Sequence, residues 1–93
     1  VNAAERRAAR WYRLRGWRVV GTNVWAAGNE VDLIVRRGRT LRFVEVKEKG
    51  GLAYGDPAEM VTVEKQRRVR RAARAWLQAH PELRGLDIAF DVV

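Results

Sequence analysis

The chain of 93 residues has no cysteine, two prolines, one histidine and no long uninterrupted apolar run. Without cysteine it can form neither a disulfide nor a thiolate metal site. The lone histidine, His80, excludes a multi-histidine centre. Without about twenty consecutive apolar residues, no membrane-spanning helix is expected. Val1 to Arg10 shows no signal-peptide pattern, so a cytoplasmic protein without a membrane partner is expected. No initiator methionine is present, which implies missing N-terminal residues. A Gly-rich phosphate fingerprint is also lacking, and the chain is too short for a doubly wound dinucleotide fold. Acidic residues are few: 11 Asp and Glu against 19 Lys and Arg leave a net charge of +8. That excess points to a polyanionic partner or an acidic membrane surface, with solubility as the plainer explanation. The length suits one domain, residues 1–93, able to bury a modest core.

What is present centres on Gly28 to Lys47. Two apolar runs, Val31 to Val35 and Leu41 to Val46, flank Arg36-Arg37-Gly38-Arg39, a hairpin signature. Both runs carry acids where a strand would ordinarily carry more Val or Ile, and a buried charge costs free energy unless it is offset. Alternation places Glu30, Asp32 and Ile34 on one face, and Leu41, Phe43, Glu45 and Lys47 on one face. A two- or four-residue loop centred on Arg37 and Gly38, which Gly38 favours, pairs Ile34 with Leu41, Asp32 with Phe43 and Glu30 with Glu45. A three-residue loop would send Asp32 to the opposite face. In the favoured register Asp32 lies diagonal to Glu45. Carboxylates so close cannot all stay ionised cheaply, and a divalent cation is the usual remedy. The cluster offers oxygen ligands, which suit Mg²⁺ or Mn²⁺. A solvated hairpin with exposed cross-strand Glu–Lys pairs is the plainer alternative.

Around the hairpin, a first helix is expected from about Ala3 to Leu14, with Val1, Ala4, Ala8, Trp11 and Tyr12 on its apolar face. Glu5 borders that face, where it suits the helix dipole. Trp17 to Trp25 reads as the first strand, and Ala26 to Asn29 as the turn into the hairpin. Residues 48–60 form a long connection that leaves directly from Lys47. Lys49 and Tyr54 within it are placed to contact a phosphate or stack on a base. A second helix runs from about Thr62 to Ala79 and stops before Pro81; Val69, Ala72, Ala73, Trp76 and Leu77 share its apolar face. One turn back, that face carries Lys65 and Gln66, which project toward the sheet that holds Asp32 and Glu45. Arg67, Arg70, Arg71 and Arg74, flanked by Arg68, form a basic stripe opposite the core, a candidate nucleic-acid contact. Leu86 to Val93 closes the chain as a strand in which Asp91 is placed to pair with an arginine.

Asp32, followed thirteen residues later by Glu45-Val46-Lys47, resembles the PD-(D/E)xK nuclease core. More narrowly, Gly28-Asn29-Glu30-Val31-Asp32-Leu33-Ile34 and Phe43-Val44-Glu45-Val46-Lys47 resemble the YraN (UPF0102) family, relatives of archaeal Holliday junction resolvases. Ala4-Glu5, Tyr54-Gly55, Pro57, Lys65-Gln66, Arg68 and Phe90-Asp91-Val92-Val93 extend the likeness over most of the chain. Two positions depart from it: Val31 stands where the superfamily often has Pro, and Ala4 where the family has Gly. The resemblance implies an α/β fold with a restriction-endonuclease-like core. Its order is a helix, a three-strand antiparallel meander, a long helix and a final strand in a mixed sheet.

It also implies a metal-dependent endonuclease acting on DNA, with branched or structured sites among the expected substrates. Asp32, Glu45 and the Val46 carbonyl would bind Mg²⁺ or Mn²⁺, with Glu30 or Glu5 adding an outer ligand. Lys47 would position water or stabilise developing charge, and Gln66 and Lys65 would stand beside the site. Cutting two strands needs two sites, so a homodimer is expected. The competing readings are a non-catalytic nucleic-acid-binding module of the same fold and a basic adaptor for an acidic protein.

Overall fold

A computed structural model of the chain describes residues 1–47 and 62–93. The chain runs α1 (Ala3–Arg13), β1 (Arg18–Ala26), β2 (Asn29–Arg37), β3 (Thr40–Glu45), α2 (Val63–Gln78), a 3-10 turn (Pro81–Leu83) and β4 (Asp87–Val92). The strands form one open sheet in the order β1-β2-β3-β4, antiparallel up to β3, with β4 parallel to β3. This is the mixed α/β arrangement expected of a restriction-endonuclease-like core.

Both faces of the sheet are covered, which explains why its central strands read as apolar runs rather than alternating ones. Leu33, Val35 and Val44 pack with Ala8, Ala9 and Tyr12 of α1 on one face. Ile34, Leu41 and Phe43 pack with Ala72, Ala73 and Trp76 of α2 on the other. Trp17 closes the α1 side, buried, with the guanidinium groups of Arg37 and Arg42 each 4.6 Å from its ring. Tyr12 is fully buried there and donates a hydrogen bond to Asp91 at 2.6 Å; Arg42 pairs with the same carboxylate at 3.3 Å. The expected Asp91–Arg pairing is thus present.

Local signals set the boundaries. Asn2 caps α1 in a reciprocal box with Glu5, and Thr62 caps α2 by accepting from the Lys65 amide. The β1–β2 turn places both Ala27 (φ 51°) and Gly28 (φ 76°) in the left-handed region, as a two-residue hairpin turn requires. In the β2–β3 turn Gly38 (φ 60°) takes the first of two central positions, between paired Arg37 and Thr40. His80 ends α2, stacked on Trp76 with ring centroids 4.0 Å apart.

Three expectations need correction. The hairpin turn is centred on Gly38 and Arg39, one residue later than expected. Ile34 therefore faces Phe43, not Leu41, and the recorded pairing ends at Leu33 and Val44, the residues next to Asp32 and Glu45. The α1 face is rotated: Glu5, Ala8, Ala9 and Tyr12 are buried, whereas Val1 and Trp11 are exposed. A charge bonded at the helix N-terminus is cheap to bury, and Trp11 instead covers itself with Arg15, whose guanidinium lies 3.9 Å from its ring.

Third, alternation along β2 does not hold through Asp32. Val31 packs on the α2 side and Leu33, two residues on, packs on the α1 side. Strict alternation would put both on one face. The facing stretch of β1 carries the matching irregularity, because Asn23 has φ 47° between Thr22 (paired with Leu33) and Val24 (paired with Val31). The proposed metal ligand thus stands where the sheet changes phase.

Candidate metal centre

At that change of phase Asp32 is approached both from the α1 layer and from the neighbouring strand β3. From the α1 side come Glu5 and Glu30. Each of Glu5, Glu30 and Asp32 offers a carboxylate oxygen, and these oxygens lie within 4.8 Å of one another. From the β3 side the Val46 amide donates to Asp32 Oδ2 at 2.9 Å. Asp32 is half-buried, and its pKa is pushed up from 3.8 to about 6. Burial is the main cause; the charges of Glu45 and Glu5 and a hydrogen bond with Glu30 add to it, against the opposing Val46 amide.

Glu5 does two jobs. Oε1 accepts from the Asn2 amide at 3.0 Å and completes the α1 cap. Oε2 accepts from Asn23 Nδ2 at 3.1 Å, and the same nitrogen donates to Glu30 Oε1 at 3.1 Å. Asn23 is the site residue that the sequence reading missed. Its signal was a turn-former inside the expected strand from Trp17 to Trp25, at a position where Asn is depleted unless its backbone is irregular.

Glu45 has different company. Lys65, in the first turn of α2, bonds its Oε1 at 2.9 Å, and Lys47 approaches the same oxygen at 3.5 Å. Lys65 therefore does project from α2 toward the sheet, as its place on the helix stripe implied. The Lys47 ammonium is pulled below its usual pKa, first by contact with Lys65, then by burial and by the Lys65 charge, with Glu45 opposing. Gln66 lies next to this pair and lines, with Glu45, Lys65, Val69 and Arg70, a cleft of about 260 Å³ floored by Phe43 and Phe90.

The structure thus gathers Glu5, Glu30 and Asp32 into one oxygen cluster, and Glu45, Lys47, Lys65 and Gln66 into an adjoining charged patch. Three oxygens on one octahedral Mg²⁺ lie about 3–4 Å apart, so the cluster would have to draw together to hold such an ion. At Val46 it is the amide that meets Asp32, whereas the expectation concerned its carbonyl. Arg67, Arg68, Arg70, Arg71 and Arg74 are all exposed. Arg68 bonds Glu64 at 2.6 Å. Arg70 reaches the rim of the cleft beside Glu45. Lys49 and Tyr54 lie outside the described residues.

Comparison with known proteins places this geometry in context. The family model described as uncharacterised protein family UPF0102 matches residues 4–93. The chain is 43% identical over 93 residues to the UPF0102 protein YraN of Escherichia coli O8 (strain IAI1), covering 99% of this chain and 71% of that protein. It is 42% identical, over the same shares, to YraN of Escherichia coli K12 and of Shigella sonnei (strain Ss046).

Proposed function

The chain belongs to the UPF0102 family, and from its site we propose that it is a metal-dependent nuclease that hydrolyses phosphodiester bonds in DNA. The observation that carries this reading is the convergence of Glu5, Glu30 and Asp32 from α1 and β2 on one half-buried point, beside two lysines. The donor set is all oxygen and suits Mg²⁺ or Mn²⁺. When bound, such an ion supplies a water of lowered pKa and neutralises charge at the phosphate.

The chain's own residues would do the rest. Asp32 is held in place by the Val46 amide, with Glu45 as the further candidate ligand. Glu45 also holds Lys65 and Lys47 at the edge of the cluster. Lys47, with its proton loosened by its neighbours, is suited to position a water or to donate to the developing phosphorane charge. Branched or structured DNA is the substrate class that the family resemblance suggests, and a homodimer would supply two sites for cutting both strands.

A second reading has one observation in its favour. Glu45 is already neutralised by two lysines, so a metal is not needed to stabilise it. That favours a nucleic-acid-binding module in which the carboxylates serve the fold. Calorimetric titration of Mg²⁺ and Mn²⁺ into wild type and Asp32→Ala, followed by incubation of both with a branched DNA, separates the two. The nuclease reading expects ion binding and cleavage in wild type, loss of both in Asp32→Ala, and retained DNA binding by that variant. Cleavage that persists in both Asp32→Ala and Lys47→Ala would overturn the site. DNA binding without cleavage, unchanged by Asp32→Ala, would favour the module.

A further inference from the structure

We propose that Asn23 is a positioning residue: its side-chain amide draws Glu5 and Glu30 together beside Asp32 and so sets the spacing at which a divalent cation is held, an inference that rests on the metal-dependent reading above. One nitrogen, Nδ2, donates to Glu5 Oε2 and to Glu30 Oε1, each at 3.1 Å. A primary amide nitrogen carries two hydrogens, one for each carboxylate. Both partners are acceptors when ionised, so the amide must present its nitrogen and not its oxygen.

The two carboxylates come from different elements. Glu5 is tied to the start of α1 through its other oxygen, and Glu30 stands near the start of β2. Like charges from two separate elements would move apart in the absence of a shared donor. Asn23 is the link between them, and it belongs to a third element, β1.

The backbone supports the same role. Asn23 has φ 47° inside a strand, a conformation that few residues other than glycine adopt and that asparagine tolerates better than most. Its neighbours Thr22 and Val24 pair with Leu33 and Val31, which flank Asp32, so the irregularity carries the amide to the position facing Asp32. A merely structural strand position would favour an extended β-branched residue.

The test measures Mn²⁺ affinity by electron paramagnetic resonance, and melting temperature without metal, for wild type, Asn23→Gly and Asn23→Ser. Glycine keeps the left-handed backbone and removes both donors; serine keeps one donor. Asn23→Gly should bind Mn²⁺ about tenfold more weakly, the size expected for losing hydrogen bonds to charged groups, and Asn23→Ser should fall between it and wild type. In a Glu5→Gln, Glu30→Gln background the Asn23→Gly change should alter the affinity by less than about twofold, because the repulsion between ionised carboxylates that Asn23 offsets is gone.

A lowered melting temperature with wild-type affinity in Asn23→Gly would assign Asn23 to the fold alone and overturn the proposal while leaving the metal reading intact. If Asn23→Gly does not fold, wild-type affinity in Asn23→Ser would overturn it equally. Absence of Mn²⁺ binding by wild type, with or without DNA, would remove the metal reading and this inference with it.

Discussion

Asp32 is where the physical chemistry of single residues is most exposed. Its pKa is raised, so the folded protein favours the protonated acid more than the unfolded chain does. The stabilising contribution of the proton is fully present below about pH 4 and is lost as pH rises through about 6. Metal-free protein should therefore lose stability across that window, by about 1–2 kcal/mol after solvent screening is allowed for. Asp32→Asn should abolish this dependence and raise the melting temperature at pH 7.5, while Mn²⁺ should stabilise wild type and not the variant. Thermal melts at pH 4, 6 and 8, with and without Mn²⁺, check the sign. At this scale the sequence was informative about identity and only partly about company. Asp32, Glu45 and Lys47 stood out because charge in an apolar strand needs a reason. That Glu45 would meet Lys65, or Glu5 the Asn23 amide, depends on elements far apart in the chain.

Among the elements, the hairpin and α2 were the most legible. Gly38 and the apolar runs beside it announced two strands, and the spacing from Val69 to Leu77 announced a helix with Lys65 at the buried edge of its first turn. The register was read two residues out, because a two-residue turn can be placed around Gly38 in more than one way and each choice keeps the same faces. The irregularity in β1 left a single signal, Asn23 inside an expected strand, since its form comes from pairing and packing between β1 and β2. Gly21 stands at a separate irregularity of β1, a register shift between Val19 and Gly21. A Cβ there would sit 2.9 Å from Val24 Cγ2 and 3.3 Å from Ile34 Cδ1. Gly21→Ala should cost about 1–2 kcal/mol through overpacking, seen as a lower urea midpoint with an unchanged slope.

For the whole molecule, the net charge of +8 is spread unevenly, and the exposed arginines of α2 reach the rim of the cleft through Arg70. If DNA tracks this rim, replacing Arg67, Arg70, Arg71 and Arg74 together by Gln should weaken binding at 150 mM salt more than tenfold. It should also flatten the dependence of log K on log salt by about 3 to 4. An unchanged slope would place the DNA on another surface, and no affinity in wild type would favour the acidic-protein adaptor. No helix among the described residues is long and apolar enough to cross a membrane.

By itself the sequence determined the local structure and the donor chemistry: two helices, a hairpin, a final strand and a set of oxygen ligands without thiol or multi-histidine alternatives. Those follow from composition and from periodicities of two and 3.6 residues, which act within a few residues of chain. Only the tertiary structure decided which carboxylates share a point, that Glu45 is shared by Lys47 and Lys65, and that Asn23 ties α1 to β2. Burial and Coulomb interactions depend on distance in space, and here the partners are brought together by a sheet whose alternation slips at Asp32.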